Sequence, residues 1–425
     1  RISHQYRICP TYAQRCTLTR WLDMLRHQYN YLLADRFDWW EHHRCWVDAC
    51  PLTCSIAQPR ERPTYYKQKR SLPPLKRERP WYAELNAQVL QDCAKRADLA
   101  FQRFVKGDSN GKRSGRPRFK NKHRYRSMTF PQDVRIEGNR VVLPKFGAVA
   151  VVWHRPLPEG FDIKTAIVTR KADGWYVTFS LENKSVPEPS SPDIEPTVAN
   201  SIGIDAGLEY FVSTSEGDQK APGRPFRSVE QKLSRMQAKR DARKKGSKAR
   251  RKLNQKVARL HQKVARQRQQ WHYELAGELC QRASVIFVED LNVANLTRRN
   301  KAKPDPDRAG GYLPNGQASK SGLNKSFADA GIGGFLNEIL PRKAAKAGVA
   351  VVKVNPAGSS QHCSQCLNRV PKSLSDRWHE CGQCGLSLPR DVNSAVLIQK
   401  VGLGIASLKN AKPSLRGRRS PRRTA

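Results

Sequence analysis

Four cysteines and three acids have the spacing from which chemistry can be argued. Cys363 and Cys366 form one CxxC pair, and after fourteen intervening residues Cys381 and Cys384 form a second. Two such knuckles can surround one Zn²⁺ tetrahedrally. Four thiolates leave no open coordination position, so the expected zinc is structural rather than catalytic. Gly382 and Gly385 let the second knuckle turn tightly, and Leu386 can pack behind it. His362 and His379 flank the array and are expected in supporting or surface positions.

Each of the three acids sits at the end of an expected element. Asp205 closes the apolar run SIGID, Glu289 closes VIFVE, and Asp391 precedes VNSAVLIQK, which reads as a short helix. Strands of one sheet can bring such residues together. Three carboxylates without matched basic partners repel one another unless cations join them. Two divalent ions roughly 4 Å apart would satisfy that need, activate water and stabilise a leaving oxygen in phosphodiester hydrolysis. Plainer readings stay open at this point. An acid at a strand end can cap a helix or face solvent, and Asp391 can pair with Arg390.

The elements that would position these groups are readable along the chain. Residues 4–10 read as a strand, and 15–35 as a helix with Leu18, Trp21, Leu22, Leu25 and Tyr29 on one face. Trp39, Trp40, Cys45, Trp46, Cys50 and Cys54 cluster too irregularly for a metal site. A helix is expected from Trp81, with Leu85, Val89, Cys93 and Leu99 on its buried face. Residues 108–126 read as a basic loop or arm. Short β-rich segments follow at 127–129, 134–143, 149–153, 163–169 and 174–182, separated by turn signals such as Gly138-Asn139 and Asp173-Gly174, which predicts a small barrel or curled sheet. The Pro-rich stretch 182–200 reads as a linker. Beyond it, strands near 201 and at 285–289 and 349–355 alternate with helical patterns, including 325–346, and predict an α/β layer. Residues 297–321 are polar and contain Gly and Pro.

Composition narrows the partner. The chain has 425 residues, with 78 Lys or Arg against 37 Asp or Glu, for a formal charge of +41. Such an excess calls for a polyanion, and nucleic acid is the commonest one. The excess is uneven. Residues 231–270 hold 16 Lys or Arg against one Asp, while Leu253, Val257, Leu260 and Val264 keep an apolar seam, which predicts one long basic helix. The tail 411–425 is basic and expected to be disordered. No apolar run suggests a membrane span, and the eleven cysteines are too sparse for a disulfide scaffold. No secretory leader is readable in RISHQYRICP.

The motifs GIDAGLEYFVSTSEG, VIFVEDLN, VNPAGSSQHCSQC and CGQCGLSLPRDVNSA resemble the TnpB family of transposon-encoded RNA-guided nucleases and its compact relatives among type V CRISPR effectors. YRICPT, LNAQVLQDCAKRADLAFQRF and GRPRFKNKHRYRSMTF extend the resemblance through the N-terminal half. Ser359 and Ser394 stand where that family commonly has Thr and Ala.

The resemblance implies a multidomain α+β fold. A wedge-type β-barrel (1–14 and 127–185) would hold an inserted helical recognition lobe (15–126). A linker (186–200) would lead to a RuvC-like, RNase H-type α/β nuclease domain (201–361 and 386–410) with a zinc-ribbon-like insertion (362–385). It implies Asp205, Glu289 and Asp391 as catalytic, Mg²⁺-binding acids, with two ions per site, and Cys363, Cys366, Cys381 and Cys384 as ligands of one structural Zn²⁺. The implied partners are a guide RNA and target double-stranded DNA, with no membrane; the expected location is the bacterial cytoplasm, nucleoid-associated when bound to DNA, and the oligomeric state stays open, with a monomer favoured. Arg116, Arg118, Lys120, Lys122, Tyr125, Lys244, Lys245, Arg250, Arg251 and Lys252 are the candidate nucleic-acid contacts. The implied activity is RNA-guided cleavage of DNA beside a short motif. The alternatives are a weak or inactive guide-bound DNA-binding protein or repressor, and an accessory transposase-associated protein. A strand-transfer transposase is disfavoured, because neither an HUH pair nor a tyrosine nucleophile with adjacent histidines is visible.

Overall fold

A computed structural model describes residues 1–48, 61–108, 111–186, 194–308, 310–355, 357–373 and 375–408. The side chains of Cys45, Trp46, Cys50 and Cys54, the middle of the expected linker and the expected tail 411–425 lie outside the described residues. The chain divides into two compact units, Arg1–Pro187 and Glu188–Ala425.

The first unit starts with β1 (Ile2–Cys9) and α1 (Tyr12–Asp48). A reciprocal cap starts α1. The Gln14 N–H donates to Thr11 Oγ1 (3.3 Å), and the Thr11 N–H donates to Gln14 Oε1 (3.0 Å). The helix runs beyond the expected 15–35, with Leu18, Trp21, Leu22, Leu25 and Tyr29 buried as their spacing predicts. Then come α2 (Tyr65–Arg70), α3 (Leu72–Glu78), a tight turn at Pro80–Glu84 and α4 (Ala87–Val105). The helix expected from Trp81 therefore starts six residues later. Leu85 is extended, and Asn86 caps α4 by accepting from the Gln88 N–H (2.8 Å). Leu99 is exposed, a second correction. The buried face is the i, i+4 row of Val89, Cys93, Ala97 and Phe101, and Leu99 lies off it.

The strands β2 (Ser127–Phe130), β3 (Arg135–Glu137), β4 (Arg140–Leu143), β5 (Gly147–Val152), β6 (Asp162–Lys171) and β7 (Gly174–Glu182) join β1 in an antiparallel sheet of order β2-β6-β7-β1-β5-β4-β3. The expected single strand 134–143 is a hairpin turned at Gly138, whose φ is +54°. Among the described residues no pairing joins β2 to β3, so the sheet is open rather than a closed barrel. All three residues of its edge strand β3 are exposed. Helices and sheet share one core, in which Trp21, Leu25 and Phe101 meet Phe130, Val177 and Phe179.

The second unit places β8 (Ser201–Asp205), β9 (Val212–Thr214) and β10 (Gln219–Lys220) ahead of α5 (Glu230–Asp241) and α6 (Lys248–Arg282). The single helix expected over 231–270 is thus two packed helices. Gly246, at φ +85°, turns the chain, and Ser247 Oγ caps α6 by accepting from the Arg250 N–H (3.2 Å). Val257 and Val264 of the expected seam are buried, and Leu253 and Leu260 are half-buried.

The chain continues through β11 (Val285–Glu289), α7 (Val293–Leu296), β12 (Lys303–Pro304) and β13 (Tyr312–Leu313) to α8 (Gln317–Ala330), α9 (Ile332–Gly334), a wide helical turn at Phe335–Ile339 and α10 (Leu340–Ala347). The expected helix 325–346 is interrupted at Gly331, at φ +70°. Last come β14 (Ala350–Val354), β15 (Trp378–Glu380), β16 (Ser387–Pro389) and α11 (Arg390–Gly402). The main sheet has the order β10-β9-β8-β11-β14, with β8, β11 and β14 parallel and β9 and β10 antiparallel. Among the described residues, no helix is long and apolar enough to cross a membrane.

Candidate active site and cysteine centre

Two of the three acids stand side by side because their strands are parallel neighbours in register. Ile204 pairs with Val288, so the next residues, Asp205 and Glu289, close the two C-terminal ends together. Both strands are almost wholly buried up to that point, which places the carboxylates at the rim of the core. Ligand sites of parallel sheets form at this end of the strands.

The third acid arrives on α11. This helix lies on β8 because Gly203 has no side chain. A Cβ there would overlap the Ala395 carbonyl oxygen and lie 2.8 Å from the Gln399 nitrogen. A glycine on the helix makes the reciprocal fit, since a Cβ at Gly402 would overlap the buried Phe287 ring. Gln399 Nε2 then donates to the Ser201 carbonyl (2.7 Å). Asp391 occupies the first turn of α11, where the unpaired N–H groups favour a carboxylate. Among the described residues its ion-pair partner is the neighbouring Arg390, at 3.4 Å, the pairing that the sequence left open.

Burial, then Glu289 and Asp391, raise the Asp205 carboxyl well above the ordinary range, against the pull of Arg390. Burial also raises Glu289, opposed by the hydrogen bond that Ser359 Oγ donates to its Oε1 (2.7 Å), with Asp391 adding to the rise. Carboxylates that disfavour one another's charge make a site that gains by accepting cations. The three acids are more loosely grouped than the cysteines. Among the described residues, only Cys363, Cys366, Cys381 and Cys384 bring three or more ligand atoms within 4.8 Å of one another.

These four cysteines could hold a metal such as zinc. Cys363 and Cys384 sulfurs lie 3.6 Å apart, and Cys366 and Cys381 sulfurs 3.5 Å apart. A tetrahedron with Zn–S bonds of about 2.3 Å has sulfur–sulfur edges of roughly 3.8 Å. The two knuckles repeat one backbone pattern. The Leu367 N–H donates to the Cys363 carbonyl, and the Gly385 N–H to the Cys381 carbonyl. The N–H groups of Cys384 and Gln383 hold the Cys381 thiol down to about 6, while Cys384 is pushed up to about 12, against the Leu386 N–H, by burial and the neighbouring thiols, so the metal-free cluster shares its protons. His362 Nδ1 lies 2.8 Å from the Gly358 carbonyl, and His379 is fully buried.

The candidate nucleic-acid contacts divide. Arg118, Lys122, Lys244, Lys245, Arg251 and Lys252 are exposed. Arg116 is exposed too, but pairs with Glu41 and lies 4.3 Å over the Phe37 ring. Lys120 is half-buried, and Asn30 holds its backbone at both N–H and carbonyl. Two candidates are corrected. Tyr125 is 6% exposed and packs 5.8 Å from the Tyr29 ring, so its ring is closed to base stacking. Arg250 spends its donors on the carbonyls of Arg240, Asp241 and Arg243 and on the Asp241 carboxylate, closing the α5–α6 turn. Sequence reasoning gave no role to Gly203. The glycine inside an otherwise apolar strand was its only signal.

Three family models match the chain. One described as "Probable transposase" matches residues 184–300. One described as "Cas12f1-like, TNB domain" matches 334–398, which includes the cysteine knuckles and Asp391. One described as "Helix-turn-helix domain" matches 1–45, where this chain has a strand followed by one long helix. Among curated proteins, the chain is 26% identical over 330 residues to the "Putative RNA-guided DNA endonuclease InsQ" of Escherichia coli (strain K12), covering 76% of this chain and 77% of that one. It is also 26% identical over 409 residues to a "Putative RNA-guided DNA endonuclease" of Streptomyces pristinaespiralis, covering 95% and 90%. Among solved structures, a CRISPR-Cas12f ternary complex matches at a TM-score of 0.30 and 14% identity, covering 91% of this chain and 82% of that one. The mini-RNA-guided endonuclease CRISPR-Cas_phi3 matches at 0.38 and 12%, covering 62% and 57%.

Proposed function

The chain belongs to the TnpB family, and from that premise we propose that it is an RNA-guided DNA endonuclease whose single nuclease centre is formed by Asp205, Glu289 and Asp391. One observation carries the reading. A half-buried and a buried acid end adjacent parallel strands, and a glycine-seated helix brings a third to them. The relatives named as RNA-guided DNA endonucleases support it. The mixed five-stranded sheet supports a RuvC-like, RNase H-type domain, with the cysteine knuckles as its zinc-bearing insertion.

In this reading Asp205, Glu289 and Asp391 hold two Mg²⁺ ions, and their loose grouping suits a pair of ions better than one. Bound Mg²⁺ supplies water activation and stabilisation of the leaving oxygen. The protein's own part is to hold three carboxylates together and fixed, so that bound cations favour their charged form. Ser359 orients Glu289, and the first turn of α11 orients Asp391. Exposed Lys and Arg on the 111–122 arm and around the α5–α6 turn bind the phosphates of guide RNA and target DNA. A short duplex motif is read by the protein, and guide pairing reads the rest. The zinc is structural.

The test is cleavage of a plasmid by the protein purified with its copurifying RNA, in Mg²⁺. Cutting that needs the RNA and disappears in Asp205→Ala supports the reading. Cutting of branched DNA without RNA would replace it with a structure-selective nuclease. RNA-dependent DNA binding without cutting would replace it with a guide-bound repressor.

A further inference from the structure

Asn393 is wholly buried, two residues beyond Asp391 on α11, and both polar atoms of its amide bond to the first cysteine knuckle. Its Oδ1 accepts from the Ser364 N–H (2.8 Å), and its Nδ2 donates to the His362 carbonyl (2.8 Å). The two contacts bracket Cys363 on either side. Further along α11, Lys400 Nζ donates to the Ser364 carbonyl (2.6 Å). The second knuckle reaches the same helix through the backbone, because β16 runs directly into α11. At the other end of the first knuckle, four residues before Cys363, buried Ser359 donates to Glu289.

The 359–366 segment therefore touches two of the three acids by separate routes, Glu289 through Ser359 and the Asp391 helix through Asn393. We propose that the cysteine knuckle is the positioning device of the acid site, with Asn393 and Ser359 as positioning residues that transmit its geometry to Asp391 and Glu289. Both residues are buried. An amide that meets both a donor and an acceptor of one loop fixes the distance and the rotation of that loop against the helix, and a one-atom contact would leave the rotation free. Because Asn393 and Asp391 share one helical turn, an error in knuckle geometry becomes an error in carboxylate placement. Partners of this kind behind metal ligands typically alter metal affinity by about tenfold or more.

The inference rests on the reading of the three acids as a divalent-metal site, and its test separates the two. Mn²⁺ binding is measured by electron paramagnetic resonance on the full chain, alongside zinc content, melting temperature and copurifying RNA, for wild type, Asp205→Asn, Asn393→Ala, Ser359→Ala and Lys400→Met. If wild type and Asp205→Asn bind Mn²⁺ alike, the acid-site reading fails and this inference falls with it. If Asp205→Asn loses Mn²⁺ binding, that reading stands and the other variants decide. The expected result is Asn393→Ala and Ser359→Ala with wild-type zinc and RNA but Mn²⁺ binding weaker by about tenfold. Wild-type Mn²⁺ affinity in both, whether or not zinc is retained, overturns the inference. Should Asn393→Ala fail to fold, Ser359→Ala and Lys400→Met give the same decision, with unchanged affinity in both overturning it.

Discussion

Gly203 and Ala395 meet without a side chain between them, and this contact seats α11 on β8. Gly203→Ala would place a methyl group where the Ala395 carbonyl oxygen stands, with Gln399 leaving no room on the other side. The helix must shift, at a cost of about 1–3 kcal/mol, as for other overpacked cores. For a unit of this size that is a fall in Tm of several degrees. Cleavage should fall much further, because the shift moves Asp391 away from Asp205. Equal thermal and catalytic loss in proportion to unfolded protein would show that the contact serves stability alone.

Removing the metal from the cysteine centre should destabilise the second unit. Cys381→Ser is expected to lose about one zinc ion per chain by elemental analysis and to melt earlier. The described α1–α4 and β1–β7 elements keep their own core and should retain their hydrogen-exchange protection. Loss of protection across both units would contradict this.

In metal-free buffer, Asp205→Asn should melt higher than wild type at pH 7.5. The folded state raises the Asp205 carboxyl above its unfolded value, through burial and then Glu289 and Asp391. A raised acid contributes a penalty that grows as pH climbs from the unfolded value toward the folded one and is full above it. The amide removes that penalty. Added Mg²⁺ should raise the Tm of wild type and leave the variant nearly unchanged. A variant that gains as much from Mg²⁺ as wild type would mean that the ion binds elsewhere.

His272 should make the second unit acid-sensitive. It is buried against Phe211 and Phe335, with its Nε2 3.0 Å from the Ala330 carbonyl. Burial lowers its folded pKa, the Ala330 hydrogen bond opposes that, and Arg268 adds to the lowering. As pH falls below about 6.5, the unfolded chain takes up the proton first, so stability is lost from there downward. His272→Gln keeps a donor and removes the titration. Its melting temperature should change less between pH 7.5 and pH 5 than that of wild type. Parallel pH profiles would show that His272 stays neutral in both states.

The features legible in the sequence were those set by short-range spacing. The CxxC pairs, the acids ending SIGID and VIFVE, and the apolar face of Leu18, Trp21, Leu25 and Tyr29 depend on residues a few positions apart. The features that escaped depend on partners elsewhere in the chain. Tyr125 looks like a stacking residue in a basic arm until Tyr29 covers it. Arg250 looks like one more phosphate contact until the carbonyls of the α5–α6 turn take its donors. That turn was itself obscured, because basic residues run unbroken in composition across Gly246-Ser247, while the apolar seam Leu253, Val257, Leu260 and Val264 lies wholly on the α6 side. The open edge of the first sheet also lay beyond the strand pattern, since period-2 alternation does not say whether the first and last strands meet.

The order in which the site's parts occur along the chain has a consequence for synthesis. Asp205 and Glu289 lie on strands that can pair once β11 has been made, but α11 comes after every strand of the main sheet. A ribosome-bound chain that has released β8 through β14 therefore carries two acids of the proposed centre and lacks the third. Domains form as their segments emerge, at about 5–20 residues per second. An incomplete chain already has the basic turn between α5 and α6 and can meet nucleic acid before it has the means to cut it.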